Sequence, residues 1–114
     1  MPTLLVVDDE QSICWGLSRL GEQLGCQVLT ASSAEQALEC IDQQRPDVII
    51  LDVRLPGMDG LAAIERFRTI LGAVPVIIIT AYGDLQTAVQ AVRQGAFEYI
   101  VKPFDAQRIQ QVLQ

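Results

Sequence analysis

The sequence predicts an α/β sandwich, one parallel sheet held between two layers of helices. Four apolar runs carry this expectation: Leu4–Val7, Val48–Leu51, Val76–Ile79 and Tyr99–Val101. Runs of three or four β-branched and aliphatic residues without polar alternation suit strands buried on both faces, as in a helix-covered parallel sheet. Helical patterns alternate with these runs along the chain. Each run also ends on a polar residue: Asp8-Asp9, Asp52, Thr80 and Lys102 in turn. In an open parallel sheet the strand C-termini share one edge, and ligands bind at that edge.

The pattern reads as βα repeated five times. After Asp9, a helix is expected over about Ser12 to Leu24. Ile13, Leu17, Leu20 and Leu24 recur at spacings of three and four, and Gly25 ends it. Gln27 to Ala31 is a short strand. Ser32-Ser33-Ala34-Glu35 has the form of a capping box and opens a helix carrying Ala37, Leu38 and Ile41. Arg45-Pro46 stops it, because the residue before proline avoids the helical region. Asp47 to Asp52 is the third strand. Leu55 to Gly60 is dense in turn residues. Leu61 to Leu71 follows as a helix with Leu61, Ile64, Phe67 and Leu71 on one face. Val76 to Thr80 is the fourth strand. Asp84 caps a helix running to Gln94, with Gly95 as its stop. Phe97 to Lys102 is the fifth strand, and Pro103-Phe104-Asp105 opens the last helix. That helix reaches Gln114 without a stop signal, so residues 1–114 are expected to be one domain of a longer chain.

Right-handed crossovers between parallel strands turn such a series into a doubly wound (βα)5 sandwich. A flavodoxin-like strand order of 2-1-3-4-5 has its switch point between strands one and three. That order would place Asp8 and Asp9 beside Asp52.

Composition narrows the function. A chain of 114 residues, 50% of them hydrophobic, suffices for one packed core. Eight basic against fourteen acidic residues leave a net charge of −6, which argues against direct nucleic-acid binding by this segment. No apolar stretch approaches the roughly 20 residues of a membrane span. The N-terminus has no signal-peptide pattern, and a cytoplasmic location is expected. Cys14, Cys26 and Cys40 are odd in number and widely spaced, so they read as small core residues in a reducing compartment. The chain has no histidine. Any phosphoryl chemistry must therefore use carboxylates.

Three carboxylates in one crevice repel. Two like charges 4 Å apart cost about 4 kcal/mol at an effective dielectric near 20. A hard divalent cation such as Mg²⁺ would relieve this, since it takes oxygen ligands and commonly one or two carboxylates. A carboxylate beside such an ion can act as a nucleophile toward phosphorus. The three equatorial oxygens of a transferring phosphoryl group then need positive partners. The ion, the Lys102 ammonium and the Thr80 hydroxyl suit those needs. Singly, each residue has a plainer reading: Asp9 as a helix cap, Thr80 as a β-branched strand end, Lys102 as a solvated loop residue.

Four stretches together resemble the receiver domain of two-component response regulators. They are Val6-Val7-Asp8-Asp9-Glu10, Asp52 to Gly60, Ile79-Thr80-Ala81 and Lys102-Pro103-Phe104. The phrases Leu55 to Leu61 and Gly95 to Asp105 look most like the nitrogen-regulator type, which precedes a sigma-54-activating ATPase module. The resemblance implies a phosphorylation-dependent switch in phosphorelay signal transduction. Asp52 would accept the phosphoryl group from a sensor histidine kinase. Asp9 would bind Mg²⁺ directly, Asp8 directly or through water, and the Arg54 carbonyl would be a further ligand beside Asp52. Lys102 would hold a phosphoryl oxygen, with a cis bond to Pro103. Thr80 and Tyr99 would form the switch pair, and Arg54 and Tyr82 stand where phosphoryl lifetime is tuned. The implied partners are the kinase, an effector domain following in the chain, commonly for transcription regulation, and a second copy of the chain in a homodimer. Such a domain catalyses only its own phosphoryl transfer and hydrolysis and is not an enzyme toward free metabolites.

Two other classes fit less well. An aspartyl phosphatase would want D-x-D-x-[TV] after the first strand, where this chain has Asp8-Asp9-Glu10-Gln11-Ser12. A flavin or nucleotide binder of flavodoxin type would want a Gly/Ser/Thr-rich phosphate loop there, and the acidic loop would repel a phosphate without metal. A receiver degenerated to a binding module would have lost some of Asp8, Asp9, Asp52, Thr80 and Lys102, all of which are present.

Overall fold

The computed structural model describes residues 2–53, 60–80, 85–102 and 106–113. Its strands are β1 (Thr3–Val7), β2 (Gln27–Ala31), β3 (Val48–Asp52), β4 (Val76–Thr80) and β5 (Glu98–Val101). They alternate with the helices α1 (Gln11–Gln23), α2 (Ala34–Gln43), α3 (Gly60–Leu71), α4 (Leu85–Arg93) and α5 (Ala106–Leu113). The sheet is parallel with order β2-β1-β3-β4-β5, the flavodoxin-like arrangement expected from sequence.

Strand alternation divides the core in two. Leu5, Val7, Ile49, Leu51 and Ile78 point to one side, where Ala37 and Ile41 of α2, Ile64 and Phe67 of α3 and Ala91 of α4 cover them. Leu4, Val6, Ile50, Ile77, Ile79 and Ile100 point to the other, against Leu17 of α1 and Ile109 of α5. Every residue of β1 and β4 is buried, which explains their lack of polar alternation. The three cysteines are free and half-buried, packed against these clusters as expected.

The helix starts differ in detail from the sequence reading. The capping box of α2 is Ser33 with Gln36, one residue later than Ser32 with Glu35. Ser33 is the N-cap, and its Oγ accepts from the Gln36 N–H at 3.1 Å. Gln36 Oε1 accepts in turn from the Ser32 N–H and hydroxyl, at 2.8 and 2.9 Å. Both frames contain a serine three residues ahead of a Glu or Gln, and chain entry from β2 selects between them. Ser33→Ala should lower stability by about 1 kcal/mol, the usual cost of a lost N-cap, as read from the urea midpoint. A loss no larger for Ser33→Ala than for Ser32→Ala would show the box in the other frame.

At α1 the N-cap is Glu10, with no side-chain capping bond. The plainer reading of Asp9 as the cap of α1 therefore does not hold. Gly21 lies buried where α1 meets the sheet, and a Cβ there would come within 2.8 Å of a Val28 methyl carbon. Close helix–strand contact explains a glycine inside this helix. No described helix is long and apolar enough to cross a membrane.

Candidate functional site: an acidic crevice at the sheet edge

Pairing of Val7 with Leu51 brings the next residues of both chains, Asp8 and Asp52, side by side beyond the switch point. Pairing of Asp52 with Ile79 and of Thr80 with Val101 sets Thr80 and Lys102 along the same edge. Asp8, Asp52 and Lys102 each follow by two residues a side chain of the α1/α5 cluster: Val6, Ile50 and Ile100. Strand alternation thus aims all three to one side. The Lys102 backbone is held by its N–H to the Thr80 carbonyl at 2.7 Å. From there its side chain crosses β4 to the acidic residues.

The Lys102 ammonium sits among three carboxylates. It donates to Asp52 Oδ2 at 3.1 Å and to Glu10 Oε1 at 3.2 Å. Asp8 Oδ2 lies 3.1 Å away, close enough for an ion pair but without a well-directed hydrogen bond. The other Asp8 oxygen, Oδ1, accepts from the Glu10 N–H at 2.9 Å. That two-residue turn folds the chain back and lets Glu10 reach the crevice. Cys14 of α1 donates its thiol to the Asp8 carbonyl at 3.2 Å. Burial, then the charge of Asp8, pushes that thiol up from its ordinary value.

Glu10 is the member that residue-by-residue reasoning passed over. Its only sequence signal was its place two residues after a strand-end aspartate. Asp9 is exposed and is not one of the three clustered carboxylates. Thr80 is buried, and its hydroxyl has no hydrogen-bond partner among the described residues. Register puts Thr80 and Tyr99 on the sheet face covered by α2, α3 and α4. There Tyr99 is half-buried against the core. Arg54, Tyr82 and the Lys102–Pro103 bond lie outside the described residues.

The electrostatics pull two ways. Burial raises the Asp8 carboxyl above the ordinary aspartate value. Its bond from Glu10 N–H works against this, the Asp52 charge adds to it, and Lys102 opposes it without prevailing. Burial also presses on the Lys102 ammonium, but the hydrogen bond and charge of Asp52, then those of Asp8, outweigh it and raise its value. Lys102 therefore stays charged, while Asp8 carries a desolvated charge that one ammonium shared three ways does not fully offset. Oxygen atoms of Asp8, Glu10 and Asp52 lie within 4.8 Å of one another. An all-oxygen set with excess negative charge fits a hard divalent cation.

A pH dependence follows. A carboxyl whose folded value is raised contributes stability that is fully present below the unfolded value, here 3.8, and is lost as pH rises through the folded value. Asp8→Asn, measured in chelator, should therefore gain stability relative to the parent as pH rises from about 4 to about 7. Paired denaturation curves across that range check this. A difference that stays flat or shrinks would mean that Lys102 fully compensates Asp8.

Comparison with known proteins agrees with this geometry. Residues 4–114 match the response regulator receiver domain. The chain is 44% identical over 100 residues to the DNA-binding transcriptional regulator NtrC of Klebsiella pneumoniae, covering 88% of this chain and 21% of that one. It is 40% identical over 111 residues to the transcriptional regulatory protein ZraR of Escherichia coli K12, covering 97% and 25%. It thus spans about a fifth to a quarter of the length of these relatives. The receiver domain of NtrX from Brucella abortus superimposes with a TM-score of 0.93 at 37% identity, over 96% of this chain and 93% of that one. A receiver domain from Clostridium thermocellum covers all of both chains with a TM-score of 0.88 at 33% identity. The strand order, the acidic crevice and these likenesses place the chain in the response regulator receiver family, with relatives of the nitrogen-regulator type.

Proposed function

We propose that the chain is a phosphorylation-controlled switch whose acceptor is Asp52. The observation that carries this reading is the crevice itself: a buried strand-end carboxylate bonded to a lysine and next to two more carboxylates, with Thr80, whose buried hydroxyl has no partner among the described residues, at the end of the neighbouring strand. In the proposed reaction an Asp52 oxygen attacks phosphorus as the bond to the donor, a histidine of a sensor kinase, breaks. An acyl phosphate forms, and water later hydrolyses it. Asp8 and Asp52, with Glu10 beside them, would hold Mg²⁺, Asp9 and the Arg54 carbonyl being the further ligands the family resemblance implies, and the ion would supply the positive charge that makes the approach of two anions tolerable. Lys102 holds one phosphoryl oxygen and Thr80 donates its hydroxyl to another. The chain turns over no free substrate, so the activity is confined to its own aspartate.

The new group adds roughly 1.5 to 2 negative charges. Thr80 is drawn toward it, and Tyr99, on the same sheet face, fills the space released. Thr80 ends β4, whose chain continues into α4. Val89 and Val92 of α4 are exposed, 41% and 40%, which supports an output surface there. We place the chain as the receiver unit, residues 1–114, of a longer cytoplasmic regulator. An effector domain would follow it and act on sigma-54-dependent transcription. A second copy of the chain is a further candidate partner for the α4 surface.

Incubation with acetyl phosphate tests the reading. One phosphoryl group per chain should appear by intact mass with Mg²⁺ and be absent with chelator. Uptake that is equal with and without the metal would refute the metal-assisted site.

A further inference from the structure

Helix α4 ends in a well-formed stop. The Gly95 N–H donates to the Val92 carbonyl and the Ala96 N–H to the Ala91 carbonyl, with Gly95 at φ +116°. This is the paired-bond glycine stop that satisfies two of the last four helix carbonyls. The Gln94 carbonyl is outside that scheme, and Arg68 of α3 takes it through Nη1. The guanidinium also packs close to Gly95. A Cβ there would come within 2.5 to 2.8 Å of Arg68 Nη1, Cζ and Nε. The backbone angle calls for glycine at 95, and a side chain there would also displace the Arg68 guanidinium. The anchor is itself held: Arg45, just after α2, donates through Nη2 to the Leu71 carbonyl at the end of α3. Two arginines therefore chain α2 to α3 and α3 to α4, each at a helix C-terminus where positive charge is favoured.

We propose that Arg68 clamps the C-terminal end of α4 and makes it the pivot of the switch. This rests on the phosphorylation reading above, because the pivot needs a displacement to turn. The strand leading into α4 ends at Thr80, so the phosphoryl site pulls on the N-terminal end of the helix. The Arg68 clamp holds the other end. Movement is then a swing of α4 about Gln94–Gly95, largest near Leu85 and smallest near Arg93. Without the clamp the whole helix would shift, and the direction given to the exposed Val89 and Val92 would be lost.

Arg68→Ala and Arg68→Lys test this in two readouts. Without ligand, amide hydrogen exchange at Gln94, Gly95 and Ala96 should be about fivefold faster in Arg68→Ala, the effect of one lost hydrogen bond. Arg68→Lys should fall between, since it keeps a donor and a charge but not the guanidinium's packing beside Gly95. Exchange of Ile77 to Ile79 should not change, which separates a loosened end from global destabilisation. With beryllofluoride and Mg²⁺, amide shifts in the parent should fade along α4 toward Arg93, and in Arg68→Ala they should extend through Ala96. Unchanged exchange at Gln94 to Ala96, or the same shift pattern in parent and variant, overturns the proposal. If beryllofluoride moves nothing in the parent, the phosphorylation reading fails and the pivot falls with it. Exchange without ligand then still decides whether the clamp exists.

Discussion

Asp52→Asn should lose phosphoryl uptake from acetyl phosphate by on the order of a thousandfold or more, the scale expected when a nucleophile is removed. The amide is nearly isosteric with the carboxylate, so the end of β3 and its pairing with Ile79 should survive. Three carboxylates share the crevice, and their environments separate their roles. The Asp8 side chain is fully buried, which limits a donor's access to it, and burial raises its carboxyl above the ordinary aspartate value. The Glu10 side chain is 57% exposed and hangs from the loop before α1. Asp52 is 7% exposed, lies on the central strand and holds the ammonium in a direct hydrogen bond. Intact mass after a fixed incubation with Mg²⁺ measures the effect. Glu10→Gln is the matched control and should still be modified. Asp52→Asn modified as fully as the parent would assign the acceptor to another group.

Lys102→Ala should have the second largest effect, and of two opposite signs. In chelator the variant should be less stable by about 2 kcal/mol. Removing one partner of a fully buried pair costs about 3–5 kcal/mol, and here Glu10 is largely solvated and Asp8 can take up a proton. With Mg²⁺ most of that deficit should close, because a tenfold gain in affinity contributes about 1.4 kcal/mol at saturation. The ammonium lies within 3.2 Å of oxygens of Asp8, Glu10 and Asp52, the same atoms a cation would claim. Its removal ends that competition, so apparent Mg²⁺ affinity should rise about tenfold or more, given the several kcal/mol between charges at such distances. Melting temperature against Mg²⁺ concentration reads both effects. Affinity equal to or weaker than the parent's would show that lysine and metal occupy separate places in the crevice.

Much of the fold was legible from local pattern alone. Strands buried on both faces must be apolar along their whole length, so Val76–Ile79 and Val48–Leu51 announced themselves without reference to their partners. Glycines with positive φ marked the ends of α1 and α4, because that backbone region excludes most side chains. The polar residue closing each apolar run was equally plain. Since parallel strands end on one edge, Asp8, Asp52, Thr80 and Lys102 could be assigned to one crevice before any contact was known.

Contacts between distant segments were another matter. Ser32-Glu35 and Ser33-Gln36 are equally good capping boxes as strings, and only the path of the chain out of β2 selects the second. Glu10 enters the crevice because the Asp8 carboxylate bends the backbone toward α1, a two-residue turn with no hydrophobic signature. Lys102 could as well have been a solvated loop residue. What draws it over β4 is the field of three carboxylates gathered from β1 and β3, and that field exists only once Val7 pairs with Leu51. The clamp of Arg68 on Gln94 joins residues 26 apart and depends on a carbonyl left over by a helix stop. Apolar period and turn chemistry are properties of neighbours in the chain and can be read there. Electrostatic partners at long range are chosen by strand register and helix docking, which no local stretch of residues contains.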